Sequence, residues 1–276
     1  MRDLAGANAL VTGASGGIGP YIARALAGEG ANIAVSGRRV DALEALVAEL
    51  AGLGARAEPV PADLADPADA EALIERSEAA LGPIDVLVNN AGVEFAAAFA
   101  SQPTEELRTT VEINLWAPLL LTRRVLPGML ERGRGHVVFV ASLAGKAPTP
   151  YEAVYSASKA ALIGLTRSLR VEYREAPVGF SVVCPGFVAG DGMYQRMVEQ
   201  GIRSNRILGE TTTDKVATAV LDALRRNRSQ VIESGAPIKP LLALGELAPR
   251  AFERIVAAAG AAKIFRASAA ARGRAD

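Results

Sequence analysis

The chain is poor in the residues that build disulfides and metal sites. Its 276 residues include one cysteine, Cys184, and one histidine, His136. A lone cysteine excludes an intramolecular disulfide and any cysteine-based zinc site. A lone histidine excludes a site that needs several imidazole ligands. Net charge is missing too: 30 Lys and Arg balance 30 Asp and Glu. Such a chain exerts no bulk pull on nucleic acid or anionic membranes, so neither is expected as a partner. No run of about 18 uninterrupted apolar residues is present, so no spanning helix is expected. The N-terminal segment has an Arg offset by Asp3, and its apolar run is broken by Asn8, Thr12 and glycines, unlike a secretory signal. These absences suit a cytoplasmic, reducing setting. At 50% hydrophobic and 22% charged residues, the chain has enough apolar material for a full core.

Short runs rich in Val and Ile lie at 8–11 (NALV), 32–35 (NIAV), 84–88 (IDVLV), 136–140 (HVVFV), 180–183 (FSVV) and 230–232 (QVI). Their lack of polar alternation suits strands buried on both faces. Helical stretches are expected at 18–28, 41–51, 67–81 and 152–175. This alternation predicts an α/β fold, a doubly wound parallel sheet covered on both faces, with right-handed crossovers. No linker or repeat divides the chain. One domain is expected over 1–276, with a core at about 7–234 and an apolar C-terminal appendage at about 235–265. The appendage carries an amphipathic helix near 241–259, and the small, basic tail at 267–276 is expected to fray.

The first strand runs into Thr12-Gly13-Ala14-Ser15-Gly16-Gly17-Ile18-Gly19 and then a helix. Glycines at such a turn let backbone approach a pyrophosphate, and the helix start offers free N–H groups. The T-G-x-x-x-G-x-G spacing resembles that of the short-chain dehydrogenase/reductase family in its roughly 250-residue form, and the likeness runs from about Ala7 to about Val188. It implies a Rossmann-like sheet of about seven strands and a nicotinamide cofactor held by Gly13, Ser15, Gly17, Ile18 and Gly19.

The second strand ends Val35-Ser36-Gly37-Arg38-Arg39. An acid at the place of Gly37 would mark NAD(H) by accepting from the ribose 2′-hydroxyl. Gly37 has no side chain, and Arg38 can fork onto a 2′-phosphate, so NADP(H) is expected, with NAD(H) as runner-up. Otherwise Arg38 and Arg39 are a solvated pair at a strand end. The resemblance places the adenine at Asp63-Leu64, although Asp63 equally suits a helix cap before Pro67. Asn89-Asn90-Ala91-Gly92 resembles the family's N-N-A-G signature. There Asn90, Ala91 and Gly92 pass beside the cofactor.

Tyr155-Ser156-Ala157-Ser158-Lys159 places a phenol and an ammonium on one helix face. Tyrosine ordinarily titrates near 10, and a neighbouring cation favours the phenolate. Lowering it by about 3 units requires about 4 kcal/mol, which Lys159 and an oxidised nicotinamide together can largely supply. Tyr155 is then the general acid for ketone reduction and the general base for alcohol oxidation. The resemblance adds Ser142 as the group polarising the substrate carbonyl. It adds Asn114 as the member that completes a proton relay through water and Lys159, and it places the lysine and the phenol against the cofactor as well.

Ala157, Ala160, Ala161, Gly164 and Ser168 form a second, small-residue face of the same helix. It packs either on the chain's own preceding helix or, as the family commonly does, across a homo-oligomer interface. After the sixth strand Pro185, Gly186 and Val188 fit the turn beside the nicotinamide. Gly190 stands where the family usually has a carboxamide-binding Thr, so backbone at Val188 or a neighbour must serve instead. The loop 187–206 carries Phe187, Met193, Tyr194 and Met197, which suits either an apolar lid over substrate or plain surface packing. The C-terminal helix resembles that of relatives taking bulky hydrophobic substrates. It covers the site, joins subunits or rests peripherally on a membrane. Together these features imply an NADP(H)-linked oxidoreductase acting on a small-molecule ketone or secondary alcohol with a hydrophobic or cyclic skeleton. The alternatives are a cofactor-binding regulator of the same fold and a relative of the longer sugar-nucleotide epimerases.

Overall fold

Alternation along the strands decides the architecture. In β1 (Asn8–Thr12), Ala9 and Val11 face one side and Leu10 the other. In β4 (Val86–Asn89) the split is Val86 and Val88 against Leu87, and in β5 (Gly135–Val140) it is Val138 and Val140 against Val137 and Phe139. Both faces are therefore apolar, and both must be covered by helices. The computed structural model describes residues 3–147, 149–204 and 208–275. Residues 1–2 of the N-terminal segment, Arg206 at the end of the 187–206 loop, and Asp276 of the tail lie outside the described residues.

With β2 (Asn32–Ser36), β3 (Ala57–Pro59), β6 (Val178–Pro185) and β9 (Gln230–Glu233), the strands form a seven-stranded parallel sheet of order β3-β2-β1-β4-β5-β6-β9. One face packs on α1 (Gly19–Gly28), α2 (Val40–Gly52) and α8 (Thr213–Arg226) through Ile22, Leu26, Leu43 and Val216. The other packs on α3 (Pro67–Leu81), α5 (Ala117–Glu131) and α6 (Ala153–Glu172) through Leu73, Leu121 and Leu162. The strand β3 carries no apolar run: it is three residues long, AEP, and only half-buried. Between β4 and β5 lies a helical stretch that apolar pattern did not mark. It comprises α4 (Thr104–Val111), a π-helical turn at Glu112–Trp116, and α5.

The C-terminal region differs from expectation in two ways. The single helix expected near 241–259 is two, α9 (Lys239–Leu247) and α10 (Pro249–Ala258). Pro249 lacks an N–H and forces Ala248 out of helical conformation, to φ −141° and ψ 70°. The tail expected to fray instead continues α11 (Ala261–Ala271), in which Ala269 is fully buried. Arg272 and Arg274 both pair with Glu106 on α4, and the Ala98 N–H donates to the Arg274 carbonyl at 2.9 Å. Composition showed the tail's positive charge. The carboxylate that answers it lies far back along the chain. Two short strands, β7 (Val188–Ala189) and β8 (Thr211–Thr212), pair beside the sheet, and α7 (Met193–Glu199) sits between them.

Candidate active site

A cleft of about 800 Å³ opens over the C-terminal ends of β1 and β4, where the strand order reverses. Ligands of open α/β sheets settle at this switch point. At one end, three glycines show why no larger residue is used. Gly13 has φ +67°, and a Cβ on it would stand 2.8 Å from the Ala91 Cα. A Cβ on Gly19 would lie 2.2 Å from the Gly13 carbonyl. Gly17 has φ +61°. The start of α1 has no side-chain cap, leaving its N–H groups for a ligand. Asn90 donates to the Thr12 carbonyl at 2.9 Å, and Thr12 Oγ1 accepts from the Asn90 and Ala91 N–H groups at 3.0 and 3.1 Å. These bonds lock the loop after β4 to the end of β1, with Ala91 and Gly92 on the cleft wall. The cradle fits a dinucleotide's pyrophosphate: backbone that a ligand can approach closely and free N–H groups at a helix start.

Arg38 lines this end and is exposed. Arg39, which the sequence offered only as its neighbour, lies across the glycine turn and donates to the Ser15 carbonyl. Asp63 and Leu64 also line the cleft. The Asp63 carboxylate accepts from the Ala65 N–H at 3.1 Å, while the cap of α3 is Asp66, which accepts from Ala68 at 2.9 Å. Pro185, Gly186 and Val188 complete this side. Gly190 has φ +109°, a conformation a β-branched Thr would hold only under strain, which accounts for the missing Thr.

At the centre, Ser142, Tyr155 and Lys159 come together. Ser142 and Tyr155 lie side by side on the cleft wall, near enough for the serine hydroxyl to act on the phenol. Lys159 is 3% exposed, donates to the Val140 carbonyl at 3.1 Å, and places its Nζ 5.6 Å from the Tyr155 ring centre. Asn114 sits in the π-helical turn, an irregularity common at functional sites. Its Oδ1 accepts from the Val93 N–H at 2.8 Å and its Nδ2 donates to the Val93 carbonyl at 2.9 Å. A Cβ on Gly92 would lie 3.3 Å from Lys159 Nζ and 3.4 Å from Asn114 Oδ1, so a larger residue there would press on the lysine head.

Without a cofactor the Tyr155 phenol is pushed up: burial has the largest effect, Glu94 the next, and Ser142 only partly offsets them, so the expected lowering needs the oxidised nicotinamide as well as the lysine. Burial likewise brings Lys159 down to about 8. In the protein alone desolvation outweighs the attraction of the lysine for a phenolate. Burial also pushes Cys184 up to about 12, which keeps it an inert thiol, as a buried small residue should be.

The far end of the cleft is apolar. Phe187, Met193, Tyr194 and Met197 line it, the last three on α7. Tyr194 is fixed: its hydroxyl donates to Glu210 and accepts from the Ser204 N–H at 2.9 Å. Phe187 stacks on Phe265 of α11 with ring centres 5.9 Å apart. Leu241, Phe252 and Val256 close the wall, residues the sequence marked as apolar without placing them here. Glu94 and Glu152 also line the cleft and were missed. Their only signal was position, two residues after Gly92 and three before Tyr155.

With this geometry in view, comparison with known proteins gives a consistent answer. A sequence model of the short chain dehydrogenase family matches residues 7–200. The ketoacyl reductase HetN of Nostoc sp. is 39% identical over 92% of this chain and 90% of its own length. The mouse dehydrogenase/reductase SDR family member 7B is 34% identical over 90% of this chain and 79% of its own. A solved metagenomic short-chain oxidoreductase in complex with NADP superposes with a TM-score of 0.71 at 35% identity, covering 83% of this chain and 97% of that one. The protein belongs to the short-chain dehydrogenase/reductase family of nicotinamide-dependent oxidoreductases. Among the described residues, no helix is long and apolar enough to cross a membrane.

Proposed function

We propose that the protein is an NADP(H)-dependent oxidoreductase that interconverts a ketone and a secondary alcohol on a hydrophobic or cyclic skeleton. The observation that carries this reading is the meeting of Ser142, Tyr155 and Lys159 midway between the glycine cradle and an apolar wall. The cofactor, when bound, supplies or accepts the hydride. Ser142 donates to the substrate oxygen and polarises it. Tyr155 gives its phenolic proton to that oxygen in reduction and takes it back in oxidation. Lys159, held by the Val140 carbonyl, presents positive charge to the phenolate that remains. Asn114 holds Val93 in place from below and so fixes the loop beside the reacting oxygen. Phe187, Leu241 and Phe252 exclude water from the substrate end.

The choice of NADP(H) rests on Arg38 and Arg39 at the cradle's rim and on the missing acid at Gly37. It is supported by the NADP complex of the metagenomic relative. A relative from Burkholderia phymatum, 25% identical with a TM-score of 0.80, was solved with NAD. Self-association through α6 is part of the same proposal. Ala157, Ala160 and Gly164 are exposed, and a Cβ on Gly164 would meet nothing within 4 Å. The chain's own helices leave that small face uncovered, and sedimentation of the purified protein tests it.

The deciding experiment follows reduced-nicotinamide absorbance with NADPH or NADH and ketones graded by size and polarity, beside Tyr155→Phe. Turnover of large apolar ketones with NADPH is expected. It should fall by about 10³-fold in the variant while NADPH binding persists. Silence in both directions, with NADPH bound, would favour a cofactor-binding regulator.

A further inference from the structure

Glu94 and Glu152 have no part in the proton path above, yet both face the cleft beside Tyr155. Glu152 stands just before α6, three residues ahead of Tyr155, a spacing that sets two side chains about 5–6 Å apart at Cβ. Glu94 comes from a different segment, the loop after β4. The two carboxyl groups are within hydrogen-bonding reach of each other, and Glu152 is only 4% exposed. Two carboxyl groups that close disfavour each other's ionisation, and a cation brought between them relieves that cost. Burial and Glu94 push Glu152 well up, which makes it the one of the two that keeps a proton.

Among the described residues neither glutamate has an ion pair, and the one charge that bears on Glu152 is that of Glu94. Lys159 is committed to the Val140 carbonyl, Arg38 and Arg39 stand at the cofactor end, and Arg196 of α7, which also lines the cleft, forms no ion pair with either glutamate among the described residues. A buried, unanswered carboxyl pair is costly to keep. This one opens onto the substrate cavity, next to the hydroxyls expected to hold the reacting oxygen. The wall formed by Phe187, Leu241 and Phe252 is apolar and carries no carboxylate.

We propose that Glu94 and Glu152 determine substrate choice: they take the ammonium of a ketone or alcohol that carries a protonated amine a few bonds from its reacting carbon. The ammonium donates to the pair while the substrate oxygen lies between Ser142 and Tyr155, and the apolar remainder lies against Phe187 and the C-terminal helices. The proposal rests on the oxidoreductase reading. It adds that positive substrates are preferred over neutral ones of the same shape, and that carboxylates are rejected by the like charge.

Three ketones of one ring size test it: N-methyl-4-piperidone, 4-methylcyclohexanone and 4-oxocyclohexanecarboxylate. The expected order of kcat/KM is amine, neutral, acid, with a step of about 10-fold or more between the first two. Glu94→Gln should lower the amine-to-neutral ratio most, and Glu94→Gln combined with Glu152→Gln, which removes the charge whichever carboxyl carries it, should bring the ratio towards one. The neutral ketone reports on folding, and calorimetric binding of N-methylpiperidin-4-ol to each protein gives a readout that needs no turnover. A neutral ketone used as well as the amine by the wild type, or a ratio that survives both substitutions, overturns the proposal. The oxidoreductase reading fails differently, by loss of turnover on all three ketones. In that case the carboxyl pair is still supported if the amino alcohol binds, and falls if it does not.

Discussion

The two ends of the cleft are made of different material. The cofactor end is mostly backbone: glycines and small residues at the ends of consecutive strands, fixed by short-range geometry. The substrate end is mostly side chain, drawn from α7, α9, α10 and α11 and from two glutamates on separate segments. Positive φ at Gly13 and contact distance at Gly19 admit only one residue type each, so the cradle leaves its mark on adjacent letters of the sequence. A wall of Phe and Leu leaves no such mark, because many apolar residues fill the same volume. One end is therefore specified locally, and the other by how distant parts of the chain come to lie together.

The first way to test that division is at the cradle's rim. If the proposed NADP(H) preference holds, replacing Arg38 and Arg39 together with Ala should reduce it by about 100-fold through loss of the positive charge offered to a 2′-phosphate. Fluorescence titration with each cofactor measures it, and KM for the ketone should hardly move. An unchanged preference would mean that the arginines are a solvated pair. The next effect is at the opposite end. Phe265→Ala removes the ring that stacks on Phe187 and opens the apolar wall. About 3 kcal/mol of packing is lost, and KM for bulky apolar ketones should rise by about 10-fold with NADPH affinity kept. If cofactor affinity drops equally, the two ends are one mechanical unit and the comparison fails.

How much was legible follows the same division. The seven-stranded sheet could be anticipated from six apolar runs because two-sided burial suppresses polar alternation. The meeting of Ser142, Tyr155 and Lys159 could be anticipated too, from helical spacing and family resemblance. The direction of the Tyr155 shift could not. It depends on Glu94, which folding brings from a separate loop, and on burial that spacing does not report. The C-terminal helices were visible as apolar sequence, but their seat over the cleft depends on contacts such as Arg272 with Glu106, separated by 166 residues. Gly190 is a middle case. Its departure from the family pattern was plain, and its reason became clear only with φ at +109°.

The smallest expected effect lies outside both ends and gives the baseline for the others. His136 is fully buried in β5, with its Nε2 2.8 Å from Ser181 Oγ and its Nδ1 unpartnered. Burial brings it down to about 3 from an ordinary 6.5. The unfolded chain thus takes up a proton that the folded chain refuses. This contribution to stability is full above 6.5 and is lost as pH falls from there toward 3, at about 1.4 kcal/mol per unit. Glu152 acts with the opposite sign. Its folded form keeps a proton that the unfolded form releases above its ordinary 4.5, so acidification relieves a cost. The wild-type profile therefore blends two opposing slopes, and the informative quantity is a difference. Denaturant unfolding of His136→Asn and wild type at pH 7.5 and 5.5 should show the gap between them narrow by about 1.4 kcal/mol at the lower pH. The cavity left by the smaller side chain shifts both pH values equally and cancels. A gap that does not change with pH would mean that the imidazole accepts a proton in place, and that the sheet interior at β5 is wetter than its packing implies.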